Sequence, residues 1–365
     1  MPEQRPQHLT ILRFDLLSVH AETQFEPRTI LGLMNVGPSP STGARITFLS
    51  EFEQLLSTFQ AHGYTELDTA RIYSGRAQES FTAEAGWKDR GLSIATKWYP
   101  LQPDDHKPEI IRRELDKSLA ELGTDCVDTF YLHAPDRAVP FEETLQEVDK
   151  LYRDGKFKAL GLSNYAAYEV AEIVMICRER GWVRPSVYQA MYSGLIRTIE
   201  AELIPACRRY GLDIIVYNPI AAGMLAGSYK SATIPEEGRF SAQNPTGQTY
   251  RNRYFEDTTF AAVALIEAAA RNHELTMAEC AFRWMRHHSA LRFAVDGDGN
   301  NGVVIGVSSI SQLEGNLADL EKGPLSEDVV EAFDKAWRLT KGTAVKYWHG
   351  ELEYAYDSKV VLFGR

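Results

Sequence analysis

The chain has 365 residues, 44% hydrophobic and 24% charged, enough apolar matter for a large core and too much for wholesale disorder. Its formal net charge of −11 argues against nucleic acid or an anionic membrane as the main partner, while leaving room for a local basic pocket that takes a phosphate. The cysteines Cys126, Cys177, Cys207 and Cys280 are far apart and form no CxxC pair. Neither a disulfide framework nor a metal site is therefore expected, and they read as buried free thiols of a reducing compartment.

Residues 1–29 read as an N-terminal segment. Their apolar patch is interrupted by Arg13 and Asp15, which makes a poor signal peptide. No run approaches the ~20 apolar residues of a membrane span, and a cytoplasmic protein is expected. From 30 to 340 short apolar runs alternate with longer amphipathic stretches. Ile30–Val36 reads as a strand and Thr47–His62 as a helix, with Phe48, Phe52, Leu55, Leu56 and Phe59 at helical spacing. Strands follow at Thr65–Asp68 and Leu92–Lys97, then a helix at Pro108–Leu122. The pairing continues with Val127–His133 and Leu145–Arg153, Ala159–Asn164 and Ala167–Arg180, and Val187–Met191 and Ala201–Tyr210. After the strand Asp213–Tyr217 comes a long polar region, Ser228–Asp257, of the kind that is functional or disordered. Helices at Thr259–Arg271 and Met277–His287, a strand at Val303–Val307 and helices at Ser311–Leu320 and Glu327–Leu339 complete the series. Ser311 and Ser326 read as N-caps, and Gly63, Gly123 and Gly181 as helix ends. The tail, 341–365, carries Tyr347, Trp348, Tyr354 and Tyr356 without a helical period and reads as lining a substrate mouth.

Alternating β and α elements give a parallel sheet, and eight such strands fit a single-domain (β/α)8 TIM barrel. An open doubly wound sheet is the competitor. It would bring a G-x-G-x-x-G turn after the first strand, whereas the sequence there is GLMNVGPSPSTG. Tyr152–Lys156 has the Y-x-x-x-K spacing of short-chain dehydrogenases, but Gly155 breaks its helix and the glycine-rich motif is missing. His287–His288 are adjacent and point to different faces.

A barrel places its site at the C-terminal strand ends. Those ends carry Asp68 and Tyr73 in LDTARIYSGRAQES, Lys97 in IATK, His133 in FYLH, Ser163 and Asn164 in GLSN, Gln189, and Tyr217 and Asn218 in VYNP. The phrase D-T-A-x-x-Y, the strand-terminal Lys and His and the G-L-S-N turn resemble the aldo-keto reductase superfamily over roughly Ile30 to Leu339. YRNRYF, RWMRHHSAL and VIGVSSISQLEGN are most similar to its aflatoxin-aldehyde reductase branch. The resemblance implies NADP(H)-dependent reduction of a small-molecule carbonyl, with Tyr73, Asp68, Lys97 and His133 catalytic, and a homodimer. Physically, a free phenol has a pKa near ~10, which a neighbouring ammonium lowers. Lys97 is expected to do this, Asp68 to hold Lys97, and His133 to orient the substrate oxygen.

The resemblance further implies that Ser163, Asn164 and Gln189 hold the nicotinamide carboxamide and that Tyr217 stacks on its ring, with Met34 and Asp68 beside it. It implies a pyrophosphate loop along Asn218, Pro219, Ile220, Ala221, Gly223, Leu225, Gly227 and Ser228, where small residues let backbone N–H groups approach phosphate. Arg239, Gly306, Ser308, Gln312 and Asn316 fall at the adenosine end, where a helix N-terminus favours the 2′-phosphate of NADP. Arg251 and Arg253 read either as a solvated loop or as an anion contact. Two departures stand out: GSYK at 227–230 in place of GKYK, and Tyr347-Trp348-His349 where the branch carries a Tyr-aromatic-Arg triplet. The departure at His349 puts acidic substrates in doubt, and His133, Trp98, Tyr99 and Trp348 suggest an aromatic pocket. An NADP(H)-binding regulatory or sensing subunit with slow turnover, or a biosynthetic enzyme with a repurposed tetrad, is the alternative.

Overall fold

Eight parallel strands close on themselves in chain order: β1 Arg28–Gly32, β2 Glu66–Asp68, β3 Ser93–Trp98, β4 Val127–Leu132, β5 Phe157–Ser163, β6 Pro185–Met191, β7 Asp213–Tyr217 and β8 Gly302–Gly306. The computed structural model describes residues 27–293 and 300–364, so positions 1–26 of the N-terminal segment lie outside the described residues. Gly32 of β1 pairs with Asp68 on one side and Gly306 on the other, which closes the TIM barrel and excludes the open sheet.

Helices alternate with the strands: α1 Leu49–Ala61, α2 Gln78–Glu84, α3 Pro108–Leu122, α4 Phe141–Arg153, α5 Ala167–Arg180 and α6 Leu203–Tyr210. After β7 come α7 Gly247–Tyr254, α8 Asp257–Arg271 and α9 Met277–His287; after β8, α10 Ile310–Glu321, α11 Glu327–Thr340 and the tail helix α12 Ser358–Phe363. Their apolar faces form the main core. Phe52, Leu55, Leu56 and Phe59 of α1 are fully buried, while Phe48, placed on that stripe by spacing, caps the helix from outside and is 73% exposed.

A second, smaller cluster of strand residues alone (Ile30, Tyr131, Val187, Ile215 and Val304) fills the barrel lumen. Its tightest point is Gly161, where a Cβ would lie 2.2 Å from the Tyr131 ring. Only glycine lets that ring lie flat against β5.

Several boundaries differ from the sequence reading. β1 stops at Gly32, not Val36, because Val36 N–H turns back to the Leu33 carbonyl at 3.0 Å; an apolar run cannot distinguish a strand from the turn that follows it. α2, α7 and α12 were not expected. α7 sits in the polar region after β7, and only Gly247 and Tyr254 of it are buried, too few to leave a periodic signal. α12 buries nothing. The N-cap of α10 is Ser309, whose side chain accepts from Gln312 N–H, rather than Ser311. Ser326 does precede α11, and Gly123 and Gly181 end α3 and α5 in the left-handed conformation. Among the described residues no helix is long and apolar enough to cross a membrane.

Candidate active site

The C-terminal strand ends open into one cavity of about 760 Å³. β2 and β3 supply its floor. Lys97, fully buried on β3, donates from Nζ to Asp68 Oδ2 (2.6 Å) and to the Thr69 carbonyl (2.6 Å). Gln189 Nε2 donates to the other Asp68 oxygen at 2.8 Å. Asp68 is thus held at both oxygens, from β3 and from β6 across the barrel. Lys97 Nζ lies 5.2 Å from the Tyr73 ring centre, and Tyr73 meets His133 edge-on at 6.2 Å.

Tyr73 sits where the chain leaves β2. Thr69 and Arg71 extend alongside β3 through bonds to the Ala95 and Lys97 carbonyls (2.9 and 3.0 Å). Tyr73 N–H then turns back to the Ala70 carbonyl, and Ser74, Gly75 and Arg76 follow with φ of 47°, 64° and 76°. Consecutive left-handed residues, two of them not glycine, are a strained turn that must be held from outside.

Burial governs the electrostatics. It pushes the Tyr73 phenol well above its usual range, and the Asp68 carboxylate reinforces the shift. Lys97, expected to draw Tyr73 down, makes its hydrogen bonds to Asp68 and the Thr69 carbonyl, and burial outweighs it in setting the direction of the shift. Lys97 itself is lowered by burial against the opposing pull of Asp68. His133 is pushed well below its ordinary value by burial, then by Lys97 and His349. It is a neutral imidazole at pH 7, and its Nδ1 is buried without a partner.

The walls come from later strands. Asn164, left-handed at φ 62°, donates from Nδ2 to the His133 carbonyl (2.8 Å) and to Ser163 Oγ (3.0 Å) and accepts from the Tyr217 hydroxyl (3.2 Å). Past β7, Asn218, Ala221 and Ala222 have φ of 70°, 50° and 58° and Gly223 has 100°. Asn218 Oδ1 accepts from Ala222 N–H at 2.8 Å, which folds the segment into a tight cradle. At the far end Arg239 donates to Asn35 Oδ1, and Ser308 N–H donates to Gln312 Oε1 at 2.8 Å. The Arg239 and Arg253 guanidinium groups lie 5.0 and 5.4 Å from the Tyr250 ring centre.

Of the expected residues, Met34, Asp68, Tyr73, Tyr99, His133, Asn164, Gln189, Tyr217, Asn218, Pro219, Ile220, Gly223, Ser228, Arg239, Gly306, Ser308, Gln312 and Asn316 line the cavity. Lys97 and Ser163 lie one layer behind it. Ala221 and Leu225 are fully buried, and Gly227 faces Met277; these shape the cradle from below. Trp98 and Trp348 do not line the cavity. Trp98 turns outward, its indole N–H on the Asp105 carbonyl at 2.9 Å, because consecutive strand residues face opposite sides. Trp348 packs edge-on against Tyr347. The tail residue that reaches the cavity is His349, whose Nδ1 lies 3.2 Å from the Tyr99 hydroxyl and whose N–H donates to the Asn164 carbonyl. Burial, Arg253 and Arg137 push it to about 4.

Arg251 and Arg253 part company. Arg253 lines the cavity, while Arg251 is used on the Phe240 carbonyl (2.6 Å) and Gln248. Their i, i+2 spacing on α7 was the available signal, and it needed the helix to be read. Lys230 of the GSYK stretch pairs with Glu267 at 2.6 Å. His288 accepts from Leu325 N–H and His287 lies 2.7 Å from the Lys322 carbonyl, both away from the cavity. Asn35, Arg45, Thr246, Thr249 and Tyr250 also line it without having been expected; the first three lie in loops, and Thr249 and Tyr250 are carried by α7.

A profile of the aldo/keto reductase family matches residues 29–338. The chain is 44% identical over 300 residues to an aldo-keto reductase of Pseudocercospora fijiensis, covering 80% of this chain and all of that protein. It is 40% identical over 347 residues to the aldo-keto reductase pigE of Monascus ruber (91% and 99%). It is 41% identical over 333 residues to aflatoxin B1 aldehyde reductase member 2 of Mus musculus (88% of each).

Proposed function

The chain belongs to the aldo/keto reductase family, whose members are carbonyl oxidoreductases, and on that premise we propose that it reduces an aldehyde or ketone to an alcohol with NADPH, Tyr73 supplying the proton. The observation that carries this reading is the convergence of Tyr73, His133 and the Lys97–Asp68 pair, from three successive strand ends, on the floor of one cavity.

The residues present fit a dinucleotide. His133 has a buried nitrogen with no partner at the floor. The left-handed run at 221–223 holds its N–H groups on Asn218 and Ile220, and the small residues Ala222 and Gly223 on the cavity wall leave room for a pyrophosphate. Arg239, which lines the same cavity as Ser308 and Gln312 at the start of α10, supplies cationic character where a 2′-phosphate would sit. Asn164 and Gln189, braced by Ser163, would hold the carboxamide, Tyr217 would stack on the ring, and Ser308, Gln312 and Asn316 would take the adenosine end. A bound nicotinamide supplies the hydride.

The chain's own residues handle the oxygen. Burial keeps Tyr73 protonated at neutral pH, which is the form an acid must have. Lys97 stabilises the phenolate left when the proton moves to the carbonyl oxygen, and Asp68 keeps Lys97 in place. His133, neutral, has one N–H to offer the same oxygen, and acts where water is excluded and such dipoles count most.

The test is steady-state NADPH oxidation across a panel of aldehydes and ketones. Tyr73→Phe is expected to keep NADPH affinity and lose about 10²–10⁴-fold in kcat. Normal turnover by that variant removes Tyr73 as the donor. Tight NADPH binding with no turnover of any carbonyl favours the binding-subunit alternative.

A further inference from the structure

We propose that Arg71 and Glu79 are positioning residues for the proton donor: one buried ion pair that fixes the Tyr73 turn and the Lys97 strand relative to each other. This rests on the reading of Tyr73 above.

The turn bearing Tyr73 is strained, and besides its own bonds, such as that of the Ser74 hydroxyl to the Val36 carbonyl at 2.9 Å, it is held from behind. Its two ends are tied by Arg71, which is 5% exposed. Arg71 Nη1 donates to the Arg76 carbonyl at 3.2 Å, spanning the left-handed residues from one side of Tyr73 to the other. The same nitrogen donates to Glu79 Oε2 (3.1 Å) and Glu121 Oε2 (2.8 Å), and Arg71 Nε lies 3.7 Å from Glu114.

Glu79, on α2, is 1% exposed and joins three elements. Its Oε1 accepts from the Thr96 hydroxyl at 2.6 Å, and its Oε2 accepts from the Ser118 hydroxyl of α3 at 3.1 Å as well as from Arg71. Thr96 is the chain neighbour of Lys97 and points to the opposite side of β3. A single carboxylate therefore grips β3 directly behind the ammonium and, through Arg71, grips the turn that carries the phenol. The backbone repeats the link, since Arg71 N–H donates to the Lys97 carbonyl. Neither Arg71 nor Glu79 lines the cavity, so neither touches a substrate.

Burying a carboxylate is costly and burial pushes Glu79 upward; a stabilising role alone would be met as well by apolar packing of the same volume. What an ion pair adds is direction. A guanidinium with fixed donors sets where the turn lies, and misplacement on the order of 1 Å at a reacting group costs up to about 10²-fold in rate.

The experiment uses the full chain with the near-isosteric Thr96→Val and Glu79→Gln, and with Arg71→Lys, which keeps the charge and removes the guanidinium fork, beside Tyr73→Phe. NADPH affinity by fluorescence quenching, carbonyl KM, kcat and melting temperature are measured for each. For Thr96→Val and Glu79→Gln, NADPH affinity and KM are expected within about twofold of the parent while kcat falls ~10-fold or more. With NADPH deuterated at the transferred position, the isotope effect on kcat is expected to grow as chemistry becomes slower. A merely structural role would lower the melting temperature and leave kcat and the isotope effect of the folded enzyme unchanged, and that outcome overturns the proposal. If Arg71→Lys fails to fold, Thr96→Val, which removes one hydroxyl and leaves every charge in place, decides alone. An active Tyr73→Phe refutes the reading of Tyr73 itself; an inactive Tyr73→Phe beside fully active Thr96→Val and Glu79→Gln refutes only the positioning role.

Discussion

Asp68→Asn is the substitution for which the structure gives the sharpest expectation. The amide matches the carboxylate in size, and its oxygen can still accept from Gln189, so the shape of the floor survives. The charge does not. Lys97 is fully buried, and of its two hydrogen-bond partners only Asp68 is charged. Breaking a buried pair by removing one partner costs about 3–5 kcal/mol. With an unfolding entropy of ~2.1 cal/mol/K per residue, a chain of 365 residues should lose roughly 4–6 °C in melting temperature at neutral pH.

The pH dependence has a definite sign. Lys97 is lowered by burial even with Asp68 opposing, and without that charge it falls further. The unfolded chain then binds the proton more tightly than the folded one between the lowered value and the ordinary lysine value of ~10.4. Stability therefore rises with pH across that window. The deficit of Asp68→Asn should be larger at pH 7 than at pH 9.5, and Asp68→Asn with Lys97→Met should recover most of the lost stability without recovering activity. Denaturant melts at the two pH values provide the measurement. A variant as stable as the parent at pH 7, or a deficit that grows with pH, would refute the account of Lys97 as a buried cation dependent on Asp68.

Two further outcomes follow from the barrel and the cavity. Gly161→Ala places a methyl 2.2 Å from the Tyr131 ring; overpacking of this kind costs about 1–3 kcal/mol and should show in a thermal melt, whereas Gly315→Ala, with open space around it, should not. Arg239→Ala removes the cation bonded to Asn35. A hydrogen bond to a charged group contributes about 1.5–3 kcal/mol, so KM for NADPH should rise by roughly 10–100-fold while KM for NADH changes little; equal effects on both would place Arg239 away from the 2′-phosphate.

The architecture was legible because its signals are redundant. Strands buried on both faces read as continuous apolar runs, and helices such as α3 and α11 carry apolar residues at helical spacing. The floor of the site was legible for a related reason: in a barrel, being a strand terminus is nearly a coordinate, so Asp68, Lys97 and His133 could be brought together on paper. What stayed hidden depends on direction or on tertiary packing. Trp98 follows Lys97 directly, and one residue along a strand reverses the face, so an aromatic beside the site turned out to be a core anchor. Trp348 and His349 show the same ambiguity in an irregular tail, where no period says which ring turns inward. Helix α7 escaped notice because Tyr250, Tyr254 and Phe255 are organised by Phe240 and Tyr229 rather than by a stripe of their own. The upward push on Tyr73 could not be read at all, since it comes from burial.

The pairing of β1 with β8 also carries a consequence for how the protein comes into being. Thr29 finds its ladder partner at Val303, so the seam of the barrel joins its first strand to its last. Contacts this distant along the chain form slowly, and domains fold as units during synthesis. Until the last strand has left the ribosome, β1 presents an open edge with no neighbour on that side, a template for pairing with other chains. His349 arrives later still, so the wall it contributes is among the last parts of the cavity to be laid down. While β2 to β7 are being made, that margin of the sheet has no strand to cover it, and shielding it is a task that the stability of the finished barrel does not perform.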